Sequence, residues 1–316
     1  MKSTIAWRLT VIATFLGTSL AASLGQTSQS ALAAPYGIVY TRDYLKQLNQ
    51  EKLLIDVGKS KKGLEYHGGP VIAQAKVYAV MWGGTVDSQI QTGIGGMLTA
   101  TLNSSYFDML KEYDTTINTA DGRNGTQQHI ARGQFAGQIT IQPANAKLSI
   151  TDDEIGAELE HQVQIGALPA PDANTVFMTY FPAGMTIDLG GSLSCQVFCG
   201  YHHNYKSAAY GMILYGVHPD LGGNCAFGCG VGNNKFENQT SVTSHELVEV
   251  VTDPAVDQNT GPTYPSAWST TIGEEIGDLC ASENTTLTVS DGTTYLLQQA
   301  WDNASEQCAA GPFQSP

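Results

Sequence analysis

The chemistry of this chain concentrates in the stretch Thr243-Ser244-His245-Glu246-Leu247-Val248-Glu249-Val250-Val251-Thr252-Asp253-Pro254. Side chains four apart stack on one helical face, so His245 and Glu249 point the same way. An imidazole and a carboxylate in that geometry can share one metal ion. Glu246 lies about 100° round the helix, beside the pair, where a carboxylate can act as general base. Asp253, one turn further along, is a reserve ligand or a partner to one. A lone H-E-x-x-E is a weak pattern, because His and Glu on a helix usually meet solvent. This helix also carries Leu247, Val248, Val250 and Val251. Carboxylates in such apolar surroundings are costly unless a cation or hydrogen bonds satisfy them, which favours a metal.

Two ligands do not make a site. A third is offered by Gly273-Glu274-Glu275-Ile276-Gly277-Asp278-Leu279-Cys280. The arrangement resembles the gluzincin proteases, and that resemblance implies a Glu on a later segment as third ligand, with an Asp orienting the ligand His. Glu275 is assigned the ligand place and Asp278 the orienting one, with Glu274 as the rival ligand. The expected metal is Zn2+, with a fourth position left for water. A second constellation, Cys195-Gln-Val-Phe-Cys199-Gly200-Tyr201-His202-His203, is expected to form a loop. In it, His202 is a candidate for the site mouth, binding an oxyanion or acting as a further ligand. No G-x-S-x-G elbow, P-loop or G-x-G-x-x-G fingerprint is present.

The elements that must position these groups follow from pattern. Val71–Trp82, Gln138–Gln142, Thr175–Phe181 and Ala209–Val217 read as strands, and later Leu287–Val289 and Thr294–Gln299. Ser88–Tyr113 has helical apolar spacing, and Thr151-Asp152-Asp153-Glu154 starts a helix that runs to about Ala167. The functional helix covers Thr240–Thr252 and stops at Asp253-Pro254. The stretches 190–206 and 222–234 are expected to be loops. Interleaved strands and helices, with no repeat or linker, predict one α/β (α+β) domain built on a single sheet.

Met1–Arg8 is a positive N-region, Leu9–Leu24 a broken apolar run, and Ala31-Leu32-Ala33 a small-x-small cleavage signal. Residues 1–33 are therefore expected to be a signal peptide, 34–68 a propeptide or N-terminal arm, and 69–316 the catalytic domain. Cleavage would make the protein secreted, or periplasmic. It would also remove Lys2 and Arg8, taking the net charge from −14 to −16. That excess argues against nucleic acid and anionic lipid as partners. Six cysteines in an exported chain read as three disulfides rather than a metal site. The expected pairs are Cys195–Cys199, Cys225–Cys229 and Cys280–Cys308.

One family shares this order of motifs. Val77–Trp82, Phe198-Cys199-Gly200-x-His202, Tyr210…Tyr215-Gly216, Cys225-x-x-x-Cys229, and Cys308 after Trp301-Asp302 resemble the EXORDIUM / phosphate-induced proteins. The resemblance spans roughly residues 70 to 310. The plant members lack the His-Glu helix. The bacterial relatives are similar in keeping Ser-His-Glu-x-x-Glu-x-x-Thr-Asp-Pro and a later Glu-Ile-Gly-Asp-x-Cys, found here at 244–254 and 275–280. The combined expectation is a secreted, disulfide-stapled, zincin-like metallohydrolase acting on a protein or peptide. The alternatives are a non-catalytic extracellular wall, signalling or binding protein, and a metal-free acid protease.

Overall fold

The computed structural model describes residues 37–54, 63–145, 147–256 and 266–311. The expected signal peptide lies outside them. Six strands form the central sheet: β1 (Ile38–Tyr40), β2 (Gln74–Trp82), β3 (Ala131–Ile141), β4 (Thr175–Tyr180), β5 (Phe198–Ser207) and β6 (Gly211–His218). Their spatial order is β1-β5-β6-β4-β2-β3. Five run the same way, and β5 alone runs against both of its neighbours. The four longest helices among the described residues are α1 (Arg42–Leu54), α2 (Ser88–Leu102), α3 (Asp152–Gln164) and α4 (Lys235–Thr252).

The strands of the sheet centre are apolar on both faces because helices cover both. On β2, Val77, Ala79 and Met81 pack with Ile94, Met97 and Leu98 of α2 and Leu247, Val248 and Val251 of α4. Val80 and Trp82 point the other way, into Ile155, Leu159 and Val163 of α3. Each such side chain contributes about 1.5–3 kcal/mol when fully buried. The Thr151 start of α3 is a capping box, with Thr151 and Glu154 each serving the other's backbone N–H.

The α/β class agrees with the sequence pattern, but the single sheet does not. Besides the central sheet there are three two-stranded sheets and one three-stranded sheet among the described residues. One of them, the hairpin Asn284–Thr288 with Thr294–Gln298, packs on α4. Residues 190–206 are not simply a loop, because β5 begins at Phe198 and is central. The Gly and His content concealed it. The long helix expected over Ser88–Tyr113 stops at Leu102, and a short helix and a 3-10 turn replace its end. Cys225–Cys229 is a short helix rather than loop.

Two disulfide pairs also need correction. The bonds are Cys195–Cys225, Cys199–Cys229 and Cys280–Cys308, so only the last is as expected. Cys225 and Cys229 sit one turn apart on their helix and face the same way. They therefore reach across as a ladder to Cys195 and Cys199 instead of pairing along the chain. Two described stretches of the expected N-terminal arm are woven into the fold. Ile38–Tyr40 is the edge strand on β5, and Glu65–Tyr66 pairs with Trp268–Ser269.

Candidate functional site

Helix α4 starts where the Asn234 side chain accepts from Glu237 N, and every residue from Asn238 to Thr252 is buried. It lies across β5 and β6 on one side and against the Thr294–Gln298 strand on the other. Its His and Glu residues are therefore not a solvated face. His245 Nε2 lies 2.8 Å from Glu249 Oε1, as helical spacing requires, yet out of line for a hydrogen bond. Glu246 turns toward β5 and meets His202, whose Nδ1 is 3.2 Å from Glu246 Oε2 and 3.6 Å from Glu249 Oε2. His202 is thus a buried member of the site and not a mouth residue. Strand alternation sends His203 to the opposite face, where it pairs with Asp152 at 2.8 Å.

The Gly273–Cys280 segment closes the cluster from the third side. Asp278 N donates to Glu249 Oε1, Glu275 N donates to Asp278 Oδ2, and Cys280–Cys308 tethers the segment's end. Asp278 Oδ1 is 3.9 Å from His245 Nε2, on the side of the ring that faces Glu249. It stands where a ligand would, not at the far nitrogen where an orienting partner belongs. Glu275 is fully buried and its nearest imidazole is His202, at 3.7 Å from Nε2, rather than His245. Glu274 remains half-exposed. Asp253 accepts from Ala267 N through Oδ1, and its main-chain carbonyl faces His202 Nε2 at 3.1 Å.

Two groups have ligand atoms close enough to hold one ion: His202, Glu246 and Glu249, and His245, Glu249 and Asp278. Buried atoms without a hydrogen-bond partner converge there: His245 Nε2, Glu246 Oε1, Glu249 Oε2, Asp253 Oδ2 and both oxygens of Glu275. Such a set of buried nitrogen and carboxylate atoms without hydrogen-bond partners fits a divalent cation. The electrostatics are consistent with that crowding. Burial raises Glu275 and Asp278 well above the ordinary carboxylate range, and Glu249 adds to both. Burial opposes charging His202 and His245, but the glutamates beside them push both up to about 10.

Three contributors carry no signal in the sequence. The Gln298 amide nitrogen stands 2.7 Å from His245 Nδ1 and donates to Gly277 O. Gly277 leaves no room for a side chain: a Cβ would lie 2.7 Å from His245 Nδ1. At the N-terminal edge, Gly37 O accepts from His202 N, and a Cβ on Gly37 would lie 2.5 Å from the imidazole. β1 thereby seals the cluster, and His202, Glu246, Glu249 and Glu275 have no exposed surface. A glycine on a loop or edge strand has many possible reasons to be there. Only the fold shows which.

Comparison with known protein families, curated proteins and solved structures finds no match for this chain. The site must be read from its own geometry. Three disulfides fit an oxidising compartment, and among the described residues no helix is long and apolar enough to cross a membrane.

Proposed function

We propose that this protein is an exported, zincin-like, zinc-dependent hydrolase acting on peptide bonds, and a bacterial-type relative of the EXORDIUM proteins. The observation that carries the reading is the 2.8 Å approach of His245 Nε2 to Glu249 Oε1 in the buried stretch Asn238–Thr252 of α4, with Glu246 beside it. Structural burial alone does not account for that many carboxyl groups without donors. His245, Glu249 and Asp278 hold the ion, Asp278 taking the ligand place first assigned to Glu275. A bound zinc ion would polarise the scissile carbonyl and lower the pKa of its water. Glu246 takes the proton, its carboxyl already raised above the ordinary value by burial although His202 and His245 hold it back. His202 keeps Glu246 oriented, and Gln298, anchored on Gly277 O, packs its amide against the ring of His245. The acidic charge suits a basic or neutral peptide rather than a nucleic acid.

A second reading has a specific observation behind it. The cluster is sealed beneath β1, which suits an extracellular binding protein that keeps the fold without turnover. Metal analysis and one variant separate the two. The purified protein should carry zinc, and Glu246→Gln should retain it while losing cleavage of a peptide library. A folded protein without zinc, or a Glu246→Gln form that still cleaves, defeats the hydrolase reading.

A further inference from the structure

The carboxylate of Glu249 serves two imidazoles at once. Oε1 faces His245 at 2.8 Å and receives Asp278 N, while Oε2 faces His202 at 3.6 Å and has no hydrogen-bond partner. On the His202 side, Glu246 Oε2 is 3.2 Å from Nδ1, and Glu246 Oε1 is again unpartnered. The other nitrogen of His202 is committed, because a main-chain carbonyl only accepts and Asp253 O lies 3.1 Å from Nε2. Nδ1 is therefore the atom that can receive a cation. It is turned toward two glutamates with no exposed surface.

From this arrangement we infer that the chain has a second divalent-cation position, formed by His202 Nδ1, Glu246 and Glu249, bridged to the first by Glu249. The charge count points the same way. Five carboxyl groups (Glu246, Glu249, Asp253, Glu275, Asp278) surround two imidazoles. One divalent cation offsets two of the five carboxylates, and a second offsets two more. Carboxylate-bridged pairs of metals about 3.5–4 Å apart are a familiar way to accommodate such a donor set. Nitrogen with carboxylate oxygen suits zinc and manganese alike. The consequence rests on the hydrolase reading: a cation at this second position occupies Glu246 and removes it from proton transfer, so excess metal inhibits.

The test is metal stoichiometry on the full chain. Chelator-stripped protein is dialysed to equilibrium against rising zinc, and bound metal is measured together with circular dichroism to confirm folding. Two zinc ions per chain are expected. Glu246→Gln and His202→Asn should each lose only the second, Asp278→Asn only the first, and Glu249→Gln both. Loaded with manganese, the wild-type should give an exchange-coupled paramagnetic resonance signal that Glu246→Gln reduces to that of an isolated ion. One zinc per chain, unaffected by Glu246→Gln or His202→Asn, overturns the second position and leaves the one-metal hydrolase standing. A folded chain that takes up no zinc overturns both.

Discussion

Gly277 passes so close beneath His245 that a single added carbon would sit 2.7 Å from Nδ1 and 2.9 Å from Glu249 Oε1. The helix supplies His245 and Glu249, but this glycine sets how closely the Glu275–Asp278 segment approaches them.

Gly277→Ala should therefore push that segment away from α4. Overpacking a rigid buried contact costs about 1–3 kcal/mol. Zinc affinity should fall as well, since Asp278 and His245 must separate. Gly84→Ala is the control, because a Cβ there meets nothing within 4 Å. Urea melts and zinc titration of both variants check this. Equal behaviour of the two would show that the close approach has no bearing on the site.

Gln298 offers a second lever from outside the ligand set. Its amide stands 2.7 Å from His245 Nδ1 and also donates to Gly277 O. Gln298→Ala leaves His245 Nδ1 without a partner, a loss of about 1–3 kcal/mol, while Gly277 O keeps Cys280 N as its donor. Partners that orient a ligand histidine are worth about 10–100-fold in metal affinity. An imidazole bound through Nε2 carries its proton on Nδ1 and needs an acceptor there, which an amide nitrogen is not. Gln298→Glu, accepting when ionised, should therefore bind zinc more tightly than Gln298→Ala. If the two variants bind zinc equally, Gln298 does not orient the ring.

What the sequence disclosed and what it hid divide along a physical line. The His245–Glu249 pairing and the position of Glu246 were legible because helical periodicity is local and fixes which side chains share a face. The apolar strands β2, β4 and β6 were legible for the same reason. His202 was misplaced because β5 holds Gly, Cys, His, Asn and Lys, which conceal a central strand in a loop-like composition. Asp278, and not Glu275, faces His245 Nε2 because an irregular turn, which no periodicity governs, decides which carboxyl points there. Gln298 and Gly37 meet the site only through long-range packing, about 50 and 165 residues from their imidazole partners. No spacing rule reaches that far.

The Cys280–Cys308 bond ties the Asp278 turn to the strand pair Ala300–Asp302 and Gln307–Ala309. Its sequence separation of 28 corresponds to about 3–4 kcal/mol in the loop-entropy account. The double variant Cys280→Ala/Cys308→Ala should lose stability of that order and, more tellingly, bind zinc more weakly. Removing Cys199–Cys229, with a separation of 30, should destabilise by a similar amount. Its effect on zinc should be smaller, because that bond anchors β5 and not the Asp278 turn. Chemical denaturation with parallel zinc titration distinguishes them. An equal loss of affinity in both variants would mean that the tether acts only through global stability.

Glu112 gives a prediction about pH that is independent of the His/Glu cluster. Burial, a hydrogen bond with Asp302 and its charge raise this carboxyl from 4.5 to about 7. A carboxyl raised in the folded state favours folding fully below its unfolded value and loses that contribution as pH rises through the folded one. The window is therefore roughly pH 4.5 to 7, and above it an ionised Glu112 sits beside Asp302. Glu112→Gln keeps an oxygen to accept from Asn303 N, as Glu112 Oε2 does at 3.0 Å, and adds a donor for Asp302. The variant should melt with the wild type at pH 4.5 and above it at pH 8, where the wild type carries the repulsion. Differential scanning calorimetry at both values decides the matter: a gap that is constant with pH, or one that closes as pH rises, rules out Glu112 as the titrating group.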